Sequence, residues 1–131
     1  MIEPDFSRFS ALVIDDQAFV RKVVASVLKQ LGFREVFEAE DGAAGLKENS
    51  RHRPNIIICD IEMEPVDGLV FLQTLRQSED SKNRTVPVVF LTQHAESSIV
   101  EQARKLGANS FVVKPPSLAT LRARIAFALG M

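Results

Sequence analysis

The sequence predicts an α/β domain, a parallel β-sheet covered by α-helices on both faces. Three observations lead there. Short apolar runs alternate with helix-spaced apolar patterns five times along the chain. The runs are nearly continuously apolar, as strands buried on two sides must be. No linker or repeat interrupts the 131 residues, which is the size of one domain. Alternation of this kind means a parallel sheet with helices packed above and below.

Ala11-Leu12-Val13-Ile14 is the first run and ends on Asp15. Phe19, Val20, Val23, Val24, Val27, Leu28 and Leu31 then recur at helical spacing, and Gly32 stops the helix. Glu35 to Ala39 makes a second, more charged strand; with Arg34, Glu35 and Glu38 it belongs at a sheet edge. Residues 42 to 50 form a short helix of small side chains. Asn55 to Cys59 is the strongest strand, and Asp67-Gly68 opens a third helix carrying Leu69, Leu72 and Leu75. Glu79 to Thr85 reads as a polar, mobile loop. Val86 to Leu91 is the fourth strand, with Pro87 near its start, where a missing donor is tolerated. Ile99, Ala103 and Leu106 mark a fourth helix ended by Gly107. Phe111 to Val113 is the last strand, and Ser117 caps a final helix whose Leu118, Leu121 and Ile125 face inward.

Composition narrows the function. A chain this long can bury roughly 65–70% of its unfolded surface. Apolar content of 46%, charged content of 25% and a net charge of −1 give no electrostatic reason to expect nucleic acid or an anionic membrane. No apolar run approaches the ~20 residues that span a bilayer. The start, MIEPDFSRFS, lacks the basic and apolar regions of a signal peptide. The single cysteine, Cys59, excludes an intrachain disulfide or a cysteine metal cluster; it reads as a small core residue, and the cytoplasm is the natural compartment.

The chemistry-bearing residues fall at the carboxyl ends of the strands, where open parallel sheets bind ligands. Asp15 and Asp16 end the first strand, Asp60 the third, Thr92 the fourth and Lys114 the fifth. Singly, each is ordinary. Asp15-Asp16 could cap the first helix, Asp60 could be a turn residue, and Lys114 a solvated lysine. Their common position is the signal. Three carboxylates held close would repel and raise one another's pKa, which a divalent cation relieves. Mg2+ prefers hard oxygens, one or two carboxylates plus waters and phosphate. A lysine suits a phosphoryl oxygen, and a threonine hydroxyl can donate to the same group. An aspartate between a metal and a lysine is a plausible nucleophile toward phosphorus. Phosphoryl transfer asks chiefly for such positioning and charge neutralisation.

With Asp15-Asp16, Asp60, Thr92 and Lys114-Pro115 in this order, the chain closely resembles a response-regulator receiver domain of the CheY type, over about residues 10–130. That resemblance implies a flavodoxin-like (βα)5 three-layer sandwich with strand order 2-1-3-4-5. It implies one receiver domain over residues 1–131, with 1–9 as an N-terminal extension. Asp60 would accept a phosphoryl group from a sensor histidine kinase or a histidine phosphotransfer protein. Asp16 and Asp60 would bind Mg2+ directly, Asp15 largely through water, and Glu62 through its backbone carbonyl. Thr92 and Lys114 would hold the phosphoryl oxygens, Phe111 would be the aromatic switch, and the Lys114–Pro115 bond would be cis. A downstream protein would read the face built from the fourth helix, fifth strand and fifth helix. Neither nucleic acid nor membrane is implied, and the chain would be a monomer or weak dimer.

Three departures from the family pattern stand out. Glu64 occupies the place where a proline is usual, with Pro65 following, although Asp67-Gly68 keeps its spacing. Gln93 follows the threonine where a small residue is usual, narrowing access to the phosphoryl group, and Pro116 makes a double proline. Glu62, Gln93 and His94 are expected to surround the pocket and tune phosphate lifetime. Elsewhere, His52 reads as a surface loop residue, and Arg122 and Arg124 as a solvated basic face.

Two other functions compete. A receiver-like module could bind partners without phosphorylation, but its usual mark, loss of an acid or of the lysine, is missing. An aspartate-nucleophile phosphatase of the haloacid-dehalogenase type is echoed by Asp60-Ile61-Glu62, but the second acid is Glu and no cap-sized insertion exists.

Overall fold

The computed structural model describes residues 4–64, 66–93 and 98–131. Five parallel strands form one sheet in the order β2-β1-β3-β4-β5. They are β1 Ser10–Ile14, β2 Glu35–Ala39, β3 Ile56–Asp60, β4 Val88–Thr92 and β5 Ser110–Val113. The helices are α1 Ala18–Gln30, α2 Gly42–His52, α3 Gly68–Arg76, α4 Ser81–Thr85, α5 Ser98–Lys105 and α6 Leu118–Ala128. The fold is therefore the expected flavodoxin-like three-layer sandwich, with the charged β2 at an edge as its sequence requires.

Because successive strand residues face opposite sides of the sheet, each strand feeds two cores. Ala11 and Val13 of β1 join Ile56, Ile58, Val89 and Leu91 beneath α1 and α6, where Val24, Leu28, Leu121 and Ile125 are buried. Leu12 and Ile14 join Ile57, Cys59, Val88 and Phe90 on the other side, against Phe71, Leu72, Leu75 and Ala103. Full burial of an aliphatic side chain of this size contributes about 1.5–3 kcal/mol. Ahead of β1, Phe6 is buried and its ring stacks on Phe33, 4.9 Å between centroids.

Caps place the helices on the sheet. Asp41 accepts from the Ala44 N–H at 2.8 Å, Asp67 from Val70 at 2.9 Å and Ser117 from Thr120 at 3.1 Å, so each side chain satisfies an orphan donor of α2, α3 or α6.

Four details differ from the expectations. The polar segment after α3 is not a mobile loop: its residues bond to each other and to α2. Asp80 caps α4 through the Lys82 N–H at 2.9 Å, Arg53 grips the same carboxylate with two nitrogens, and Lys82 Nζ donates to the Arg53 carbonyl at 2.7 Å. With this helix counted, the elements expected to form a partner-facing surface carry the labels α5, β5 and α6. His52 belongs to the last turn of α2, which ends only at Arg53 with φ 48°, and its ring stacks on Phe37 with centroids 3.8 Å apart. Leu118 is 40% exposed, because the first helical residue lies at the rim and the inward row is Leu121 and Ile125. Phe19 and Val23 of the α1 stripe also face outward, since the buried set on that helix is Val24, Ala25 and Leu28.

Candidate functional site

Parallel pairing brings the chemistry-bearing residues to one rim. β3 lies between β1 and β4, with Ile14 level with Cys59 and Asp60 level with Leu91; Thr92 is level with Val113. Asp15 immediately follows β1, Asp60 and Thr92 end β3 and β4, and Lys114 follows β5. Register carries Lys114 inward, because its N–H donates to the Thr92 carbonyl at 2.8 Å.

Lys114 Nζ lies 3.2 Å from Asp60 Oδ1 and 3.5 Å from Asp15 Oδ2. The two carboxylates are buried, and Asp60 Oδ1 also accepts from the Glu62 N–H at 3.2 Å. Asp15 Oδ1 accepts from the Gln17 N–H at 2.9 Å, whereas Oδ2 is buried without a hydrogen bond. The N-cap of α1 is Gln17, so Asp15 and Asp16 do not cap that helix. Asp16 is exposed and points into the same space: a cleft of about 160 Å3 lined by Asp16, Gln17, Asp60, Glu62, Gln93 and Lys114. Burial, followed by the neighbouring Asp15 charge, pushes the Asp60 carboxyl up to about 6, with Lys114 opposing.

Asp15, Asp16 and Asp60 each offer a carboxylate oxygen, and these oxygens lie within 4.8 Å of one another. A small hard divalent cation fits this donor set. It would give buried Asp15 Oδ2, which has the Lys114 ammonium at 3.5 Å but no hydrogen bond, a directly bound partner, and would offset the Asp15 charge that adds to burial in raising Asp60.

Two glycines let the backbone close around the acids. A Cβ on Gly68 would stand 2.8 Å from Ile61 Cα and 2.9 Å from the Asp60 carbonyl oxygen. One on Gly42 would meet the Val66 carbonyl at 2.7 Å. Cys59 backs onto the site, fully buried, its thiol donating to the Asp60 carbonyl at 3.2 Å and pushed to higher pKa by burial.

Two clefts flank the acids. One holds Asp16, Ile61, Glu62, Met63, Glu64 and Asp67. The other, an apolar groove of about 540 Å3, runs from Phe19, Val20 and Val23 on α1 across to Pro115 and Pro116. The Lys114–Pro115 peptide bond is cis. Phe111 is half-buried on β5, its ring 6.3 Å from that of Phe90 and beneath the Arg104 guanidinium at 5.2 Å. It faces the same side of the sheet as Thr92, two residues beyond Phe90. Pro65 and His94 lie outside the described residues.

Sequence reading missed Phe19, counted there among core residues yet 82% exposed beside the cleft. It also missed Arg21, whose guanidinium bonds the Asp15 carbonyl. Neither carries a signal in the chain: periodicity cannot tell the edge of an apolar stripe from its centre, and an arginine on a helix is by default solvated.

The family model for the response regulator receiver domain matches residues 11–126. The chain belongs to the response regulator receiver domain family. It is 31% identical to a probable chemotaxis protein CheY of Rhizobium etli over 94% of both chains. It is 33% identical to the transcriptional regulatory protein PdtaR of Mycobacterium tuberculosis over 91% of this chain, which spans 56% of that relative. Among solved structures, a putative response regulator from Chloroflexus aurantiacus superposes with a TM-score of 0.86 at 27% identity, covering 94% and 98% of the two chains. The receiver domain of sensor histidine kinase PA1611 from Pseudomonas aeruginosa superposes at 0.83 with 26% identity, over 94% and 98%, and that structure has a magnesium ion coordinated in its active-site cleft. Receiver domains are the switches of two-component signalling, and the acid-lined cleft lies at the strand ends of this one. No helix among the described residues is long and apolar enough to cross a membrane.

Proposed function

We propose that this receiver domain is a phosphoacceptor switch in which Asp60 takes a phosphoryl group from a phosphohistidine donor. The observation that carries the reading is Lys114 Nζ set between Asp60 Oδ1 and Asp15 Oδ2, with Asp15 Oδ2 buried and lacking a hydrogen bond. Asp15, Asp16 and Asp60 would hold Mg2+, joined by the Glu62 carbonyl. The cation, when bound, neutralises charge on the phosphoryl oxygens.

The protein's own groups supply the remainder. The Asp60 carboxylate attacks phosphorus; the new P–O bond forms as the P–N bond to the donor imidazole breaks, and the electron pair leaves with that nitrogen. Lys114 is already beside Asp60 and follows the transferred charge to a phosphoryl oxygen. Thr92, at the end of the next strand, offers its hydroxyl to another. Phe111, on the same side of the sheet, responds to that movement, and the α5–β5–α6 face changes its affinity for a protein target. Glu62 and Gln93 line the cleft and set how long the phosphoryl group survives. The apolar groove from Phe19 to Pro116 opens beside the cleft and suits a helix of the donor protein.

Incubation with Mg2+ and a phosphohistidine donor, followed by intact-protein mass spectrometry, tests the proposal. One added phosphoryl group is expected on the wild type and none on Asp60→Asn. An unmodified wild type, or modification of the Asn variant, overturns it.

A further inference from the structure

We propose that Arg21 is a positioning residue for the acidic cleft. It holds the Asp15–Asp16 peptide in the orientation that turns Asp16 toward the cleft where the cation would bind, while Glu38, shared with Lys22, directs the guanidinium and offsets part of its charge. This rests on the Mg2+ reading given above.

Asp15 is the first residue past β1, where the regular ladder stops. Its N–H still reaches the Ala39 carbonyl at 3.1 Å, and its Oδ1 is held by the Gln17 N–H. Its own carbonyl is bonded from above by Arg21 Nη1 at 2.8 Å. Arg21 is itself fixed, since its Nε donates to Glu38 Oε1 at 3.2 Å and Lys22 Nζ donates to Glu38 Oε2 at 3.1 Å. The Arg21 side chain is only 16% exposed and that of Glu38 22%, so this is a half-buried fork. Glu38 reaches it because β2 pairs with β1, Glu38 level with Val13.

Asp16 has no comparable support. It is exposed, and among the described residues no donor holds its carboxylate. Its direction therefore comes from its backbone. A peptide unit is planar, so fixing the Asp15 carbonyl also fixes the Asp16 N–H and the position of the Cα from which its side chain departs. Without Arg21 that peptide would lose its anchor, and the most exposed of the three carboxylates would lose its aim. A lone guanidinium so near a cation site would repel the cation; the Glu38 carboxylate, which it shares with Lys22, lowers that cost. Lysine would not replace it, because an ammonium cannot offer two N–H groups in a fixed fork.

The test is calorimetric titration of the full chain with Mg2+, with thermal unfolding of the same variants in EDTA. Arg21→Met is expected to weaken Mg2+ binding about tenfold, the scale of groups that orient metal ligands. Arg21→Lys should fall between it and the wild type. Glu38→Gln should also weaken binding, and the deficit should shrink as salt screens the uncompensated guanidinium. A purely structural role would lower the melting temperature and leave Mg2+ affinity unchanged. Wild-type affinity in folded Arg21→Met and Glu38→Gln overturns the inference; if Arg21→Met does not fold, Arg21→Lys and Glu38→Gln decide. Asp16→Asn separates the two readings. If it loses Mg2+ binding while the Arg21 variants keep it, this inference alone fails. If the wild type binds no Mg2+, or Asp16→Asn binds as well, the metal reading fails and this one with it.

Discussion

The Lys114 amine sits 3.2 Å from Asp60 Oδ1, reaching it from a strand two places away across the sheet. The pair is nearly enclosed, with side-chain exposures of 12% and 6%. Removing one partner of a buried ion pair leaves the other charge uncompensated. Lys114→Met is expected to lower stability by about 2 kcal/mol in EDTA at neutral pH. Mg2+ should restore more stability to this variant than to the wild type, as urea denaturation with and without the ion would register.

The titration of Asp60 predicts a pH dependence of known sign. Its carboxyl is raised in the folded state to about 6 from an ordinary 3.8. Its stabilising contribution is thus complete below the unfolded pKa and is lost as pH rises through about 6. Asp60→Asn removes the titration. In EDTA the variant should gain on the wild type as pH climbs across this window, by on the order of 1 kcal/mol once solvent screening is allowed for. Chemical denaturation at several pH values measures the gap, and a gap that does not vary with pH contradicts the assignment.

Gly68 offers no room for a side chain, with Ile61 Cα and the Asp60 carbonyl oxygen both under 3.0 Å from where a Cβ would stand. These two obstacles are backbone, which cannot rotate aside, and the Phe90 ring edge stands nearer still at 2.7 Å. Gly68→Ala should cost about 1–3 kcal/mol and should shift the amide resonances of Asp60, Ile61 and Glu62 more than those of the α6 face.

Phe19 is 82% exposed, so Phe19→Ala should leave stability within about 0.5 kcal/mol of wild type. Transfer from a phosphohistidine protein should slow several-fold, while phosphorylation by acetyl phosphate proceeds at the wild-type rate. Equal slowing with both donors would place Phe19 in the chemistry and not in docking.

The fold was legible because its signals are local. Uninterrupted runs such as Ile56 to Cys59 require two-sided burial, and the charges of Glu35 and Glu38 assign β2 to an edge. The site was legible because five polar residues end four strands, and a parallel sheet gathers strand ends onto one rim. What stayed hidden depends on contacts distant in sequence. The helix Ser81–Thr85 owes its order to Arg53 gripping Asp80, 27 residues apart. Arg21 depends on Glu38 across a strand pairing that no short window contains. His52 looked like a loop residue because α2 ends in a left-handed arginine and not in the glycine that marks such ends.

The single thiol lies directly behind the phosphoacceptor, enclosed by the sheet and bonded to the Asp60 carbonyl. The chain has no tryptophan or tyrosine, so it is nearly silent to the usual optical probes. Cys59 compensates for that silence: a reagent such as a maleimide can reach it only when the central strand opens. Labelling kinetics therefore count openings of the segment that carries Asp60, and a ligand that clamps the cleft should slow the reaction without touching the sulfur.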